Sequence, residues 1–404
     1  MTEATASPRP QWQQWQRNAL IAGVAGLAIC SVGGLLGSDT TDPERSGFLD
    51  RAQFFRSYLV AYLFCLGISL GSLALLMVHN LSGGNWGWAI RRFLEAAARN
   101  LWLMALLFLP LAAGLELVYP WASWTHEQIE HSHSLHQKSL YLNVPFFLGR
   151  AVFYFAVWVG LSLLLRPRPD EDETVEGPAA KRKQAISAPG LALLGLTITL
   201  AAVDWLMSLE PFWYSTIFGL LVGMGQTLSA MAWVIIALTL LTTPEERQGQ
   251  VSRGQLGDLG SLSLAFVMLW SYLAFSQYLL IWAGDLPEET TYYLKRIDGG
   301  WRVIALSLIF LHFVLPFFLL LSRDVKRDPR RLGTVAAILL AMQLVHLFWM
   351  VAPSFRPYQG FSLHWMDVLA VLGVGGLWLA AYLFHLDGRR LFPRPVAEEG
   401  GHHG

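Results

Sequence analysis

Long apolar runs separated by short polar segments dominate this chain. They fall near 18–37, 56–79, 91–117, 141–166, 187–208, 213–241, 257–282, 301–321, 332–352 and 363–386. Each is about 20 residues or longer, enough for a helix to cross roughly 30 Å of hydrocarbon. The runs do not alternate residue by residue, which argues against a transmembrane barrel. Backbone groups in lipid must bond within their own segment, so the pattern predicts an all-α integral membrane protein with ten transmembrane helices. Helix 2 opens on Phe54-Phe55 and carries Gly67, Ser69, Gly71 and Ser72; helix 6 opens on Trp213-Tyr214 and carries Gly219, Gly223 and Gly225. Small residues in such rows let a neighbouring helix approach closely. This faint internal repeat points to two four-helix bundles, helices 2–5 and 6–9, flanked by helices 1 and 10.

The same pattern divides the chain. Residues 1–17 are a polar leader in which Trp12 and Trp15 are interface anchors. Residues 18–55 hold the first helix and the loop after it, and 56–166 hold helices 2–4. A linker at 167–186 follows, then helix 5 at 187–208, the second bundle at 209–352, and helix 10 with its tail at 353–404. The segment Arg166–Gln184 runs Arg-Pro-Arg-Pro, acids at 170–173, then Lys181-Arg182-Lys183, and lacks the apolar residues to bury itself. The first run has no small-x-small cleavage site and is followed by nine more, so it reads as a helix and not as a cleaved signal.

Composition supports the pattern: 54% of residues are hydrophobic, 14% charged, and 17 are Trp, which excludes an ordinary soluble domain. Net charge is zero, but its distribution is informative. With the N-terminus inside, the cytoplasmic segments hold 19 Lys or Arg and the exoplasmic segments eight, with Arg99 and Arg150 inside helices. That asymmetry predicts both termini on the cytoplasmic side of a cell inner membrane. The exoplasmic loops at 38–55, 118–140 and 283–300 are longer and rich in Trp, Tyr, Glu and His, as a docking face would be. Cys30 and Cys65 are too few for a Cys₄ cluster, and no C-x-x-C-H motif exists.

Two metal readings can be weighed from spacing. His126 and His131 flank Glu127 and Glu130 in a near-match to H-E-x-x-H, but at i, i+5 they leave a common helix face, so the loop carrying His126, His131, His133 and His136 reads as surface. A bis-imidazole haem needs two histidines at one depth on facing helices. Counted at 1.5 Å per residue from the exoplasmic ends, His312 lies about 16 Å deep and His346 about 9 Å. That mismatch, with no second pair, argues against haem.

Ionisable groups inside the slab are functional candidates by default. Arg91, Glu95 and Arg99 repeat at i, i+4 on helix 3 and fit a structural ion-pair ladder; His79 and Asp258 sit at similar depth. Arg150 and His312 lie near mid-membrane. Towards the exoplasmic side are Glu116, Asp204, Gln277, Gln343 with His346, and His364 with Asp367. Arg150 would be costly alone, and Asp204 is the nearest acid in depth, which predicts an Arg150–Asp204 pair between helices 4 and 5. The array as a whole resembles two half-channels for protons; the alternative is a set of polar packing contacts. Gln277, Tyr278 and His312 are candidates for hydrogen bonds to a quinone head group. Pro110, Pro145 and Pro316 are positioned to kink helices 3, 4 and 8.

The strings Asp204–Gly219 (DWLMSLEPFWYSTIFG), Trp270–Glu289 (WSYLAFSQYLLIWAGDLPEE) and Ser57–Asn80, continuing through Gly83-Gly84 into Arg91-Arg92-Phe93-Leu94-Glu95, carry a family resemblance. From helix 2 to helix 10 the chain resembles the ActF-type membrane subunit of alternative complex III, a bacterial quinol:cytochrome c or copper-protein oxidoreductase. More distantly it is similar to the NrfD/polysulfide-reductase membrane subunits. The resemblance implies two four-helix bundles and no redox metal of the chain's own. It implies a paralogous quinol-binding membrane subunit, an iron–sulfur subunit and haem c subunits on the exoplasmic face, in a respiratory or photosynthetic chain. The family's quinone sites lie mainly in the paralogue, and a proton path has been inferred through both membrane subunits.

The expected function is therefore that of a cofactor-less subunit of a quinol-oxidising complex, acting as scaffold and as a proton path through Glu116, Arg150, Asp204, Asp258, His312, His346 and Asp367. Quinone or lipid would occupy helix interfaces. A stand-alone secondary transporter and an inert anchor are the competing readings.

Overall fold

The computed structural model describes residues 9–37, 50–125, 137–167, 177–355, 360–387 and 391–392. Among them ten helices are long and apolar enough to cross a membrane: α1 Pro10–Leu36, α2 Arg51–Ser82, α3 Asn85–Ala113, α4 Val144–Leu164, α5 Pro178–Leu209, α6 Phe218–Leu240, α7 Arg253–Gly284, α8 Trp301–Leu321, α9 Pro329–Ser354 and α10 Trp365–Leu386. The all-α, ten-span expectation holds, and the chain is a multi-pass membrane protein by its architecture. Several boundaries move. α5 starts at Pro178, so much of the expected linker is helix, and Lys183 is buried. The loop at 283–300 holds an eleven-residue helix, Pro287–Ile297. The histidine-rich segment 126–136, and with it His126, His131, His133 and His136, lies outside the described residues, as does 168–176.

α2 is the centre of the molecule: 89% of its apolar window is buried, against 22% for α8. It packs on α3, α5, α6 and α10. The small residues explain the closest of these approaches. A Cβ built on Gly71 would lie 2.1 Å from the Gln226 carbonyl oxygen of α6, and one on Gly67 3.1 Å from the Gln226 side chain. α1 and α10 likewise meet backbone to backbone, Gly23 and Gly26 against Gly373 and Gly376. Polar side chains fasten these contacts: Asn100 Nδ2 donates to the Trp378 carbonyl at 2.8 Å, and Trp378 Nε1 donates to Ser69 Oγ at 2.8 Å. Van der Waals fit and such bonds, not a hydrophobic drive, hold helices together in lipid. Gly71→Ala is accordingly expected to destabilise the fold by about 1–3 kcal/mol, because a main-chain oxygen cannot step aside. Gly195→Ala, with nothing within 4 Å of the added Cβ, should be neutral or stabilising. Thermal unfolding of both variants in one detergent checks the contrast.

The prolines act unevenly. Pro110 sits at a break of α3, whose helix is interrupted at Asn100 and again at Phe108. Pro145 lies in the first turn of α4, where a missing N–H costs nothing, so it produces no kink. Pro316 removes the N–H that would bond the His312 carbonyl and crowds that oxygen; the turn before it, Leu308–Val314, opens into a π-helix.

Both described ends share a face with the α6–α7 loop. The Arg9 guanidinium pairs with Glu246 at 2.7 Å, and its backbone N–H donates to Asp387 Oδ1 at 3.4 Å.

Candidate functional site

The ionisable residues singled out from the sequence gather into separate clusters. The first stands at the hinge between α5 and α6. Arg150 Nε donates to Asp204 Oδ2 at 2.8 Å and Nη2 to Oδ1 at 2.9 Å, so the expected pair is made, and made in bidentate form. The third nitrogen, Nη1, donates to the Tyr141 carbonyl at 3.0 Å, and Tyr154 Oη donates to Asp204 Oδ2 at 2.8 Å. The guanidinium stacks on Tyr141 and Phe146, 3.8 and 4.3 Å from the ring centroids. Asp204 is 0% exposed. This dry carboxylate makes its hydrogen bonds to the Arg150 guanidinium and the Tyr154 hydroxyl. Asp204 therefore has a structural occupation at the helix 4–5 seam.

The turn that follows is fastened from outside. Glu210 accepts from Lys295 Nζ at 2.7 Å and faces Arg296 Nη1 at 3.7 Å, both on the Pro287–Ile297 helix. Trp213 stacks on Tyr292 of that helix at 3.9 Å, and Arg296 Nη2 donates to the Met350 carbonyl of α9. Burial raises the Tyr292 phenol pKa. Lys138 Nζ donates to the Pro211 carbonyl at 2.6 Å, and burial lowers its pKa. The Glu-Pro turn is thus a clasp between chain segments far apart in sequence.

A third cluster surrounds Asp367. Its Oδ2 accepts from the His364 backbone N–H at 2.8 Å, and the His364 ring caps the Met366 N–H, which starts α10 with a reciprocal cap. Oδ1 accepts from Ser57 Oγ at 2.6 Å and Gln53 Nε2 at 3.1 Å on α2. Gln53 and Ser57 were not singled out from the sequence, although at i, i+4 on an apolar helix they form a polar stripe. At the other end, Arg91 and Arg92 meet Glu95 at 3.2 and 3.1 Å, and Arg91 Nη1 reaches His79 Nδ1 and Asn80 Oδ1. The His79 ring lies over Gly87, beside the Gly83-Gly84 turn whose positive φ angles favour glycine. Arg91 and Glu95 of the expected ladder thus pair, with Arg92 added to them.

The fourth cluster corrects the depth estimate. His312 on α8 and His346 on α9 are neighbours, their ring centroids 6.4 Å apart. Two features defeat counting from helix ends. α9's helix runs on to Phe355, which places His346 about 13 Å from its end. On α8 the π-turn shortens the rise and turns His312 inward. The argument against haem from unequal depth fails, and a packing argument replaces it. Trp270 lies edge-on against both imidazoles, at 4.3 and 5.0 Å, in the space a porphyrin between them would need. His312 is 0% and His346 3% exposed. Both ring nitrogens of His312, Nδ1 of His346, Oε1 of Gln343 and Nε1 of Trp270 are buried with no hydrogen-bond partner. Imidazole, amide and indole groups thus gather in one dry volume between α7, α8 and α9, where buried polar atoms call for a partner such as water.

The remaining candidates stand apart. Glu116 and Asp258 are exposed and make no ion pair among the described residues. The three quinone candidates do not converge. Gln277 is 2% exposed and accepts from Ser215 Oγ at 3.4 Å, whereas Tyr278, next in sequence, is 41% exposed and packs on Tyr293. His312 sits level with Trp270, two turns or about 10 Å along α7 from Gln277. No protein-family model and no curated protein matches the chain.

Proposed function

We propose that this chain is a membrane subunit of a quinol-oxidising electron-transfer complex of the alternative complex III type, carrying no redox cofactor itself, and that it serves as scaffold and proton path. The family resemblance of the α2, hinge and α7 strings supports the complex. The observation that carries the proton role is the buried His312–His346 pair, with orphaned nitrogens beside a π-turn. Two imidazoles in contact offer nitrogens that can both donate and accept hydrogen bonds, the groups a proton relay through intervening water needs. Asp367, bonded to Gln53 and Ser57, continues the polar route towards the end of the molecule that also holds the hinge. In this reading Arg150 and Asp204 are scaffold. Glu116 and Asp258 lie at the openings, where exposed carboxylates gather protons.

The partners of this reading are a paralogous quinol-binding membrane subunit, an iron–sulfur subunit and haem c subunits. They dock on the exoplasmic face, with both termini of this chain in the cytoplasm of an inner-membrane protein. Solubilised from native membranes through an affinity tag, the chain is expected to elute with haem c absorbance and iron–sulfur protein in fixed ratio. Elution alone would reject the reading and favour a secondary transporter. One observation favours that second class: the π-turn and Pro316 interrupt α8 beside a buried polar cluster, as in the broken helices of transporters. An inert anchor would tolerate loss of every buried charge outside the Arg150–Asp204 pair.

A further inference from the structure

At the arginine-rich end, the α6–α7 and α8–α9 loops close around a cavity of about 730 Å³. Local sequence builds its walls. Thr243 and Glu246 cap each other to form the short helix Pro244–Arg247, and Ser252 with Gln255 does the same at the start of α7. Arg247 Nη1 donates to the Thr242 carbonyl at 2.6 Å, which ties the loop to the end of α6. On the other side the helix Arg323–Arg327 lies along α7, with the stems of Lys326 and Arg327 against Gly260 and Gly257.

Four guanidinium groups, those of Arg247, Arg253, Arg327 and Arg331, line this space against two carboxylates, Asp324 and Asp328. Asp328 is partly committed, since its Oδ1 accepts the Arg331 backbone N–H at 2.8 Å. Among the described residues the side chains of Arg253, Arg327 and Arg331 make no ion pair or hydrogen bond. The three uncommitted arginines outnumber the two carboxylates, and an anion entering between them would offset their mutual repulsion. The planar fork of arginine matches phosphate oxygens in bidentate fashion. The volume lies in the range of small-ligand sites. The walls are the α6–α7 and α8–α9 loops and the first residues of α7 and α9, so the cavity stands just beyond the helix ends, at the level of lipid headgroups.

We propose that this cavity binds a phosphate-bearing anion, supplied by the headgroup of an anionic phospholipid or by free phosphate. The site is independent of the reading of the chain as a complex subunit. The full chain, with any subunits that accompany it, is placed in nanodiscs of phosphatidylcholine with or without phosphatidylglycerol. Retained lipid is counted by native mass spectrometry. In a second arm, inorganic phosphate is titrated in phosphatidylcholine alone and thermal stability is followed.

Against wild type stand the triple variant Arg253→Gln/Arg327→Gln/Arg331→Gln and the control Arg323→Gln/Arg330→Gln, which removes charge from the same face outside the cavity. Phosphatidylglycerol retention is expected to fall on the order of 100-fold in the triple variant and to hold in the control. Stabilisation of wild type, but not of the triple variant, by inorganic phosphate would assign the site to free phosphate instead. Should the triple variant not fold, Arg331→Gln alone carries the test, with an expected fall of about fivefold. Equal lipid retention in wild type and variant, with no effect of phosphate, overturns the proposal.

Discussion

Asp204→Ala is expected to destabilise the protein by about 3–5 kcal/mol, the largest loss foreseen for any single change. The variant leaves Arg150 buried with two of its three nitrogens unbonded, and the Tyr154 hydroxyl without its acceptor. The aromatic walls around the pair allow little water to replace the carboxylate: Trp205, Phe155 and Trp158 pack within 6 Å of one another. The sign of the double change separates a structural from a proton-carrying role. Replacing both partners, as Arg150→Met/Asp204→Leu, removes the uncompensated charge and should restore folded yield and melting temperature to near wild type. A proton-carrying Asp204 would instead leave the double variant folded but uncoupled. Yield of monodisperse protein and melting temperature in one detergent measure the first effect, and proton release in vesicles the second. Recovery of both together assigns the pair to scaffold.

The Arg150–Asp204 pair was legible in the sequence for a simple reason. A single arginine at mid-membrane is too costly to stand alone, and Asp204 was the acid nearest to it in depth. Ten spans followed from run length with equal directness, and the small residues of helix 2 marked a close helix approach, which Gly71 makes against α6. The central position of α2 was not legible, because its residues are as apolar as those of lipid-facing helices; in a membrane hydropathy does not tell core from surface. The start of α5 at Pro178 was hidden by Lys181-Arg182-Lys183, read as linker although helix ends project past the hydrocarbon. The histidine pair failed differently. Its depth was counted along ideal helices from guessed ends, and a π-turn and a few extra residues on α9 erased the difference. The i, i+4 spacing of His312 and Pro316 was the available signal, since a proline frees the carbonyl four residues before it and invites just such a distortion.

That distortion makes the histidine pair the place where structure and function can be pulled apart. His312→Leu and His346→Leu each remove orphaned buried nitrogens and replace an imidazole with an apolar group of similar bulk, against the same Trp270. Deleting an unsatisfied buried polar group is neutral or stabilising, so melting temperature is expected to hold or rise. Proton release through the proposed relay is expected to fall by at least about tenfold. In proteoliposomes of the complex, driven by quinol, the proton count per electron should drop while electrons continue to reach the acceptor. Glu116→Gln and Asp258→Asn, both exposed, should alter the count far less, because water and neighbouring groups substitute at an opening. A fall in melting temperature with unchanged coupling would make the pair a packing element. Stability kept and coupling lost is the outcome the proposed relay requires.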